Sequence, residues 1–297
     1  MSLLNLHPTA IDKLVLEQYA SGWDKYEPQG TKIFKTVTPE RFNEQFSIVA
    51  ADGSIQESSE LAAYPAVQVE EVGKKQLSQL IFKKEIGVGK HTMNFDNYGT
   101  ILEEAQKLGY HARVKIDQLM ADVMNSVEDA GQTVWDGLSI ANAAHKIGKT
   151  GQTQSNIVTG AFGETTVNAA KNALNRQKDH AGLPNVITPA TLVIPPELEQ
   201  KVFELLKSQN DPESGNRNTN FFMGFANYVV WSLLDSAEDF HVFADPMFHK
   251  FLYLPSMNPE INVVESSEQN GARRYQIDFA CQAGAVDYLG YIFGNAA

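Results

Sequence analysis

The chain has 297 residues, of which 43% are hydrophobic, and its 24 basic and 36 acidic side chains give a formal net charge of −12. This composition excludes a disordered or fibrous protein, and the length is typical of about two domains. The acidic balance argues against a protein that grips nucleic acid through its phosphates, because that function needs clustered lysine and arginine. We therefore expect no tight, specific binding of DNA.

Targeting and cofactor signals are missing from the sequence. No stretch approaches the ~18 apolar residues of a membrane span, and residues 1–8 carry no basic segment of the kind that begins a secretory signal. The single cysteine, Cys281, can form neither an internal disulfide nor a thiolate metal site. These features predict a chain that contacts no membrane, binds no cofactor and stays in the cytoplasm of the cell that makes it.

No complete motif for catalysis occurs. His241, Asp245 and His249 are four residues apart and could ligate a metal from one face of a helix. Pro246 would break a helix that carried all three side chains. We therefore nominate no catalytic, cofactor-binding or metal-binding residue and predict that the chain is not an enzyme, with a soluble metal-dependent hydrolase as an alternative.

The N-terminal segment contains apolar residues at helical spacing between Ile11 and Tyr19, followed by Gly22. This pattern predicts a short amphipathic helix, and Pro28-Gln29-Gly30 breaks the chain after it. We interpret the segment as an arm that precedes the main body of the protein.

Two charged β-strand patterns, at 66–72 and 76–86, flank Gly73-Lys74 and predict a hairpin with its turn at that dipeptide. A two-stranded ribbon this polar buries little and is marginal in water, so we expect it to rest on a partner such as another chain. The alternative is an ordinary edge hairpin of the core sheet. The residues expected to make the intersubunit contact are Val69, Val72, Lys74, Lys75, Leu80, Phe82, Lys83 and Lys84.

An apolar stripe at spacings of three or four residues runs from Ile101 to Val134 and predicts one long helix over 100–134. Its weakest positions are Gly109 and Gly131. About 34 residues at about 1.5 Å each span roughly 50 Å, which is the whole width of a compact chain of this size, so the subunit should be elongated or flat. A coiled coil is disfavoured because the stripe keeps no strict seven-residue repeat. The predicted buried face of the helix consists of Ile101, Leu108, Ile116, Leu119, Val123 and Val127.

The remainder of the chain mixes helix and strand patterns and contains no repeat, which predicts an α+β protein. In chain order the patterns predict a loop at 135–163, a helix at 165–179, a strand at 190–194, a helix at 197–207, an exposed loop at 207–220, and strands that begin at Ile261, Tyr275 and Val286 with a turn at Asn270-Gly271.

This order of elements resembles that of the major capsid proteins of tailed bacteriophages, in the Mu-like head-subunit branch of the Hong Kong 97-like fold. The resemblance covers about residues 60 to 297. Three stretches carry it most specifically: Asp136-Gly137-Leu138-Ser139 with His145, then Pro189 to Glu199, and Phe240 to Pro246.

The resemblance implies a structural protein that self-assembles through hexamers and pentamers into an icosahedral shell around double-stranded DNA. It implies portal, scaffold and decoration proteins as further partners, and a place in the virion capsid after assembly in the host cytoplasm. An encapsulin-like nanocompartment shell is the alternative within the same fold. The implied organisation is an N-terminal arm (1–34), a peripheral domain (35–62, 99–186 and 276–297, with the spine helix 100–134), an extended loop hairpin (63–98) and an axial domain (187–275).

Overall fold

The computed structural model describes residues 8–51, 57, 64, 66, 67, 69–88, 98–209, 219–265 and 273–296. Within these ranges the helices are α1 (Pro8–Asp24), α2 (Tyr98–Asn125), α3 (Glu164–Asn175) and α4 (Glu199–Lys207). The strands are β1 (Lys35–Thr36), β2 (Asn43–Ala51), β3 (Val69–Ser78), β4 (Leu80–Val88), β5 (His145–Lys146), β6 (Thr153–Gln154), β7 (Ile157–Thr159), β8 (Pro189–Ile194), β9 (Asn227–Val230), β10 (Phe240–Ala244), β11 (Phe251–Glu265), β12 (Arg273–Ala285) and β13 (Tyr291–Asn295).

Two larger sheets organise the described residues. One has the strand order β1-β11-β12-β4, and the other has the order β7-β13-β10-β8-β9. Strands β2 and β3 form a separate antiparallel ribbon, and β5 pairs with β6. The main core lies between α2 and residues of both sheets, whereas α3 and α4 cover a second core on the five-stranded sheet. None of the described helices is long and apolar enough to span a membrane.

The predicted long helix is present as α2, but it ends at Asn125 and not at residue 134. Beyond Asn125 the hydrogen bonds are no longer helical: the N–H of Asp129 bonds the carbonyl of Ser126 at 3.1 Å, and the carbonyl of Val127 accepts the N–H of the distant Ala141 at 2.7 Å. Val127 and Val134 are nevertheless buried in the main core. Apolar residues in the turns after α2 therefore continued its periodicity beyond the helix.

Helix α1 crosses α2 at two glycines. A Cβ atom at Gly109 would lie 2.1 Å from the carbonyl oxygen of Tyr19, and one at Gly22 would lie 1.9 Å from the carbonyl oxygen of Gln106. A carbon atom cannot lie this close to an oxygen atom. The two helices can approach this closely only because both positions lack a side chain. Gly109, which the sequence marks as a weak point of the helix, is a contact point between helices.

The prediction of a hairpin turn at Gly73-Lys74 is wrong. Strand β3 runs through both residues and pairs with β2, which precedes it in the chain, while β4 pairs with β12. Gly73 is required for a different reason, because a Cβ atom there would lie 2.6 Å from Cε3 of Trp135. Ile48 pairs with Gly73 and Val49 with Glu71, so Val72 is the extra residue of a β-bulge in β3, next to this close approach.

Several other boundaries differ from the sequence patterns. The second predicted helix, α3, ends at Asn175 and not at 179, and β11 begins at Phe251, ten residues before the predicted start. The helix predicted at 197–207 begins as a 3-10 turn, Pro196–Leu198, before α4. The predicted turn at Asn270-Gly271 and most of the predicted loop at 207–220 lie outside the described residues.

Candidate assembly surfaces

The β2–β3 ribbon contacts the rest of the subunit through its base and, near its far end, through an ion pair between Glu70 and Lys149. Its residues pair from Asn43 with Ser78 to Ala51 with Val69, and no further strand joins it among the described residues. Near the base, Ile48 and Leu77 are buried in a small cluster with apolar side chains of β11 and the segment after β12. The apolar attachment of the ribbon to the subunit therefore lies at its base.

A polar contact reinforces this base. The Nζ atom of Lys75 donates a hydrogen bond to Oγ1 of Thr133 at 3.0 Å, and burial lowers the pKa of this ammonium group. Thr133 belongs to the turn that also carries Trp135, against which Gly73 packs. The ribbon thus rests on the segment that follows α2.

The far end of the ribbon is apolar, acidic and exposed. The exposed fraction of Val69 is 66% and that of the nearby Tyr64 is 99%. Two carboxylates follow Val69: Glu70 pairs with Lys149, and Glu71 pairs with Lys74. Hydrogen bonds from Ser47 and Lys74 lower the pKa of Glu71, so this carboxylate is ionised although it is paired with Lys74. An exposed apolar end with carboxylates fits a partner surface that is apolar and basic.

A surface of that kind lies between α2 and β4. This groove has a volume of about 490 Å³, and β4 is the edge strand of its sheet. Its apolar floor contains Phe82 and Phe279, whose rings stack with centroids 5.0 Å apart. The charged residues of its rim are Lys83, Lys84, Glu104, Lys107 and Lys115, and His111 also lines it.

The groove is basic because its one carboxylate is already paired. The Oε1 atom of Glu104 lies 2.7 Å from Nζ of Lys107. By contrast, Lys83, Lys84 and Lys115 form no ion pair with any described residue. The ammonium group of Lys115 lies 5.8 Å from the centroid of the Phe82 ring, so its charge stands directly over the apolar floor.

The predicted intersubunit residues fall into two groups. Three of them contact their own subunit. Val72 packs against the apolar cluster at the ribbon base, Lys75 bonds Thr133, and Phe82 stacks on Phe279. Five others are exposed: Val69, Lys74, Leu80, Lys83 and Lys84.

The predicted buried face of the spine helix lies in the interior with one exception. Leu108 is half-buried and lines the groove, and Val127 is buried beyond the end of the helix. The other four residues, Ile101, Ile116, Leu119 and Val123, are all less than 9% exposed.

One buried carboxylate was missed by sequence reasoning. Asp117 is 0% exposed and accepts hydrogen bonds from the hydroxyl of Tyr26 at 2.6 Å, the N–H of Gly30 at 2.8 Å and the indole N–H of Trp231 at 3.1 Å. The available signal was an acidic residue directly after Ile116, on the apolar side of the helix.

The proposed metal ligands are not brought together. His241 lies in a strand, β10, and its Nδ1 atom is 2.8 Å from the hydroxyl of Tyr291. Burial lowers the pKa of His241 to about 3 and is also the main cause that lowers the pKa of His249 to about 4. In the described part of the chain no three His, Cys, Asp or Glu side chains are placed to hold a metal ion. The helix-face hypothesis for His241, Asp245 and His249 is wrong, because a strand does not place residues four apart as a helix does.

Solved structures of shell proteins share this fold. The chain is similar to the virus-like particle from Pyrococcus furiosus, with 14% identity, a TM-score of 0.52, and coverage of 96% of this chain and 98% of the other. It is also similar to the capsid of an empty GTA particle (9% identity, TM-score 0.57, 91% and 90% covered) and to the capsid of the cyanophage P-SCSP1u (11% identity, TM-score 0.57, 89% and 86% covered). The fold is therefore the Hong Kong 97-like capsid fold, as the sequence predicts.

A family model described as phage capsid protein matches residues 81–292. The chain belongs to this phage capsid protein family, which confirms the predicted structural role in a capsid. No curated protein matches the chain in sequence. The match begins within β4, so α1 and the β2–β3 ribbon lie outside it, and the Mu-like branch stays a prediction.

Proposed function

We propose that this chain is the major subunit of an icosahedral phage head and assembles with copies of itself, through hexamers and pentamers, into a shell around double-stranded DNA. One observation supports this proposal above the others. A single chain carries both an exposed, apolar and acidic ribbon end and an apolar, basic groove. Surfaces that differ but complement one another produce head-to-tail contacts, which form closed rings where the rotation between neighbours closes.

In the proposed contact, the far end of one subunit's ribbon lies in the groove of its neighbour. Val69 supplies apolar area to the floor formed by Phe82 and Phe279, and Glu70 and Glu71 face the rim lysines. This proposal places the extended loop at 43–78, because the ribbon consists of β2 and β3, in place of the predicted 63–98. We propose the N-terminal arm at 1–34 and the axial domain at 187–275 with the same bounds as the sequence predicts.

The proposed role is structural and not catalytic. A formal net charge of −12 suits the wall of a container, because a wall with clustered cations would retain the packaged DNA. We propose portal, scaffold and decoration proteins as further partners. The proposed location is the virion capsid, with assembly in the host cytoplasm.

Electron microscopy of the purified full-length chain tests the assembly. Closed shells or capsomer rings support the proposal, and a chain that sediments only as a monomer at all salt and protein concentrations, with scaffold present, contradicts it. Particles recovered from cells that express the remaining phage genes then test the contents, and double-stranded DNA supports the head function.

A second candidate is the shell of an encapsulin-like compartment. The similarity to the virus-like particle from Pyrococcus furiosus is the observation behind it, because that particle is not named as a phage capsid. Particles that contain protein cargo and no DNA would support the compartment over the phage head.

A further inference from the structure

A buried histidine next to the ribbon base faces hydrogen-bond acceptors on both sides of its ring. His145 is 0% exposed, its Nδ1 atom lies 2.9 Å from Oδ2 of Asp136, and its Nε2 atom lies 3.1 Å from the carbonyl oxygen of Ile140. A neutral imidazole carries one N–H and one lone pair, so it can satisfy only one of these acceptors.

Asp136 cannot supply the missing proton. Its Oδ1 atom accepts the N–H of Leu138 at 3.0 Å, and its Oδ2 atom accepts the N–H of Lys146 at 3.2 Å. Both oxygens therefore already face donors, which favours the ionised carboxylate. The carbonyl of Ile140 can only accept, and it also accepts an N–H of the Asn156 side chain at 2.8 Å. A bare Nε2 would face this carbonyl oxygen lone pair to lone pair, which favours a proton on both ring nitrogens.

The ring stacking supports the same state. His145 lies parallel to the ring of Tyr288, with centroids 4.1 Å apart and an angle of 8° between the planes. A cation over an aromatic face is attracted by the negative charge density of that face. The hydroxyl of Tyr288 donates to the carbonyl of Lys146 at 2.8 Å, and this bond holds the Tyr288 ring in place independently of His145.

We propose that His145 is a doubly protonated imidazolium that holds the turn at 132–146 closed, and that loss of its Nδ1 proton in alkaline solution releases this turn and the ribbon base that rests on it. The coupling to the ribbon is direct, because the same turn carries Thr133 and Trp135, which contact Lys75 and Gly73 of β3. The inference concerns the single subunit and does not depend on shell assembly.

The other titratable groups near the ring are few. Asp136 faces Nδ1, and beyond Tyr288 lie His180 and Asp287, whose Nε2 and Oδ2 atoms are 2.7 Å apart. Lys146 contributes its main-chain N–H, and its side chain is exposed.

His180 provides an internal control. Its Nε2 atom donates to Asp287, while its Nδ1 atom is buried and has no hydrogen-bond partner. A second proton, on Nδ1, would have no acceptor, so we expect this ring to carry a single proton.

The protonation states can be measured by magic-angle-spinning NMR on the ¹⁵N-histidine-labelled full-length chain, which reads assembled and unassembled protein alike. We expect two protonated ring nitrogens for His145 at pH 7 and one for His180, with signals assigned by correlation to the following residue. A bare Nδ1 on His145 at pH 7 would overturn the proposal.

The release is tested by chemical unfolding of the unassembled subunit between pH 7 and 10. Over the pH range in which the folded subunit keeps the second ring proton and the unfolded chain has lost it, each pH unit should raise the unfolding equilibrium constant about tenfold relative to His145→Gln, which cannot titrate. His180→Gln should keep the full pH dependence of the wild type. Parallel pH curves for the wild type and His145→Gln would overturn the release, and if that variant does not fold, hydrogen exchange of the Leu138 and Lys146 amides in the wild type decides in its place.

Discussion

The indole N–H of Trp231 donates a hydrogen bond to Oδ2 of Asp117 at 3.1 Å, although 114 residues separate the two in the chain. Trp231 follows β9 of the five-stranded sheet, and Asp117 lies in the middle of α2. The same carboxylate also binds Tyr26 and Gly30, from the segment after α1. One side chain of the spine helix therefore ties the N-terminal segment to the second sheet.

We expect Asp117→Ala to lower the free energy of unfolding by about 3 to 5 kcal/mol, because three donors lose their acceptor in the interior. Urea unfolding of the unassembled subunit measures the change. Asp122→Ala is the matched control, since Asp122 is exposed on the same helix and its loss should change stability by less than about 0.5 kcal/mol. Equal losses for the two variants would show that the buried network contributes nothing.

The crossing of α1 over α2 can be tested with two glycines of one helix. Gly109→Ala places a carbon 2.1 Å from the Tyr19 carbonyl oxygen, so α1 must move, and we expect a loss of about 1 to 3 kcal/mol. A Cβ atom at Gly99 would meet no other atom within 4 Å, and Gly99→Ala should be neutral or stabilise α2 by up to about 1 kcal/mol. Thermal melts and proteolysis of the N-terminal segment report both changes, and a neutral Gly109→Ala would argue against the tight crossing.

The buried face of α2 gives a further comparison. Leu119 is 8% exposed and packs in the main core, so Leu119→Asp should abolish the folded subunit, because an unpaired buried carboxylate costs several kcal/mol out of a total of about 5 to 15. Gln118→Ala, one position along on the exposed side, should be nearly silent in circular dichroism and thermal melts. Similar behaviour of both variants would show that the buried face is misplaced.

The sequence predicted the existence of α2 well and its end poorly, for one physical reason. Helical periodicity reports which residues face the core, and Val127 and Val134 face it from turns as well as they would from a helix. Beyond the end, the carbonyl of Val127 bonds the N–H of the distant Ala141 and not that of a helical neighbour, and no local pattern encodes such a tertiary contact. The predicted hairpin failed similarly, because Gly73 is typical of a turn but serves a close approach to Trp135.

The turn at Asp136 should also make the free energy of unfolding of the subunit fall in acid. Burial raises the pKa of this carboxyl, but hydrogen bonds from His145 and from the amide of Leu138 outweigh it, so the folded-state pKa lies below the ordinary value. The stabilisation is therefore complete above the unfolded value of about 4 and is lost as the pH falls through the lower folded value. Unfolding of the wild type and Asp136→Asn should differ most at pH 5 to 7, and the difference should shrink towards pH 2. A difference that stays constant would show that this carboxyl does not titrate with folding.

Little of the candidate assembly surface could be predicted residue by residue. The charged strands at 66–86 predicted one underpacked hairpin, but only β3 lies in the observed ribbon, where it pairs with β2, and β4 is the edge strand of the four-stranded sheet. The sequence could not show that the two strands belong to different sheets, because pairing with β2 or β12 is a choice between distant partners. The sequence could not show the groove rim either, because Lys84 and Lys115 lie on separate elements, β4 and α2, that meet only in the fold.

Charge reversal tests the proposed contact between ribbon and groove. Lys84→Glu with Lys115→Glu should leave the melting temperature nearly unchanged and prevent shell formation, because the acidic ribbon end would then meet a negative rim. Combining these changes with Glu70→Lys and Glu71→Lys should restore part of the assembly, as measured by sedimentation velocity. Lys201→Glu, an exposed change in α4, is the control and should assemble normally. Full assembly of the double groove variant would exclude this groove as the contact.

Shortening the ribbon separates folding from assembly. Val49 and Glu71 are paired in register, so replacing residues 50–70 with an Asn-Gly turn should close a shorter hairpin on the same base. The buried residues of that base, Ile48 and Leu77, remain in their cluster, and the subunit should keep nearly all of its helix signal and melting temperature.

Assembly of this shortened chain should fail, because the apolar and acidic end of the ribbon is gone and each lost contact is repeated in every subunit of a shell. Leu77→Asp is the opposite control: it leaves the far end intact but buries a charge at the base, so it should destabilise the subunit itself. Circular dichroism and electron microscopy on both variants decide the matter. Intact particles from the shortened chain would show that the ribbon is not the intersubunit arm, and a shortened chain that unfolds would show that its far end belongs to the fold.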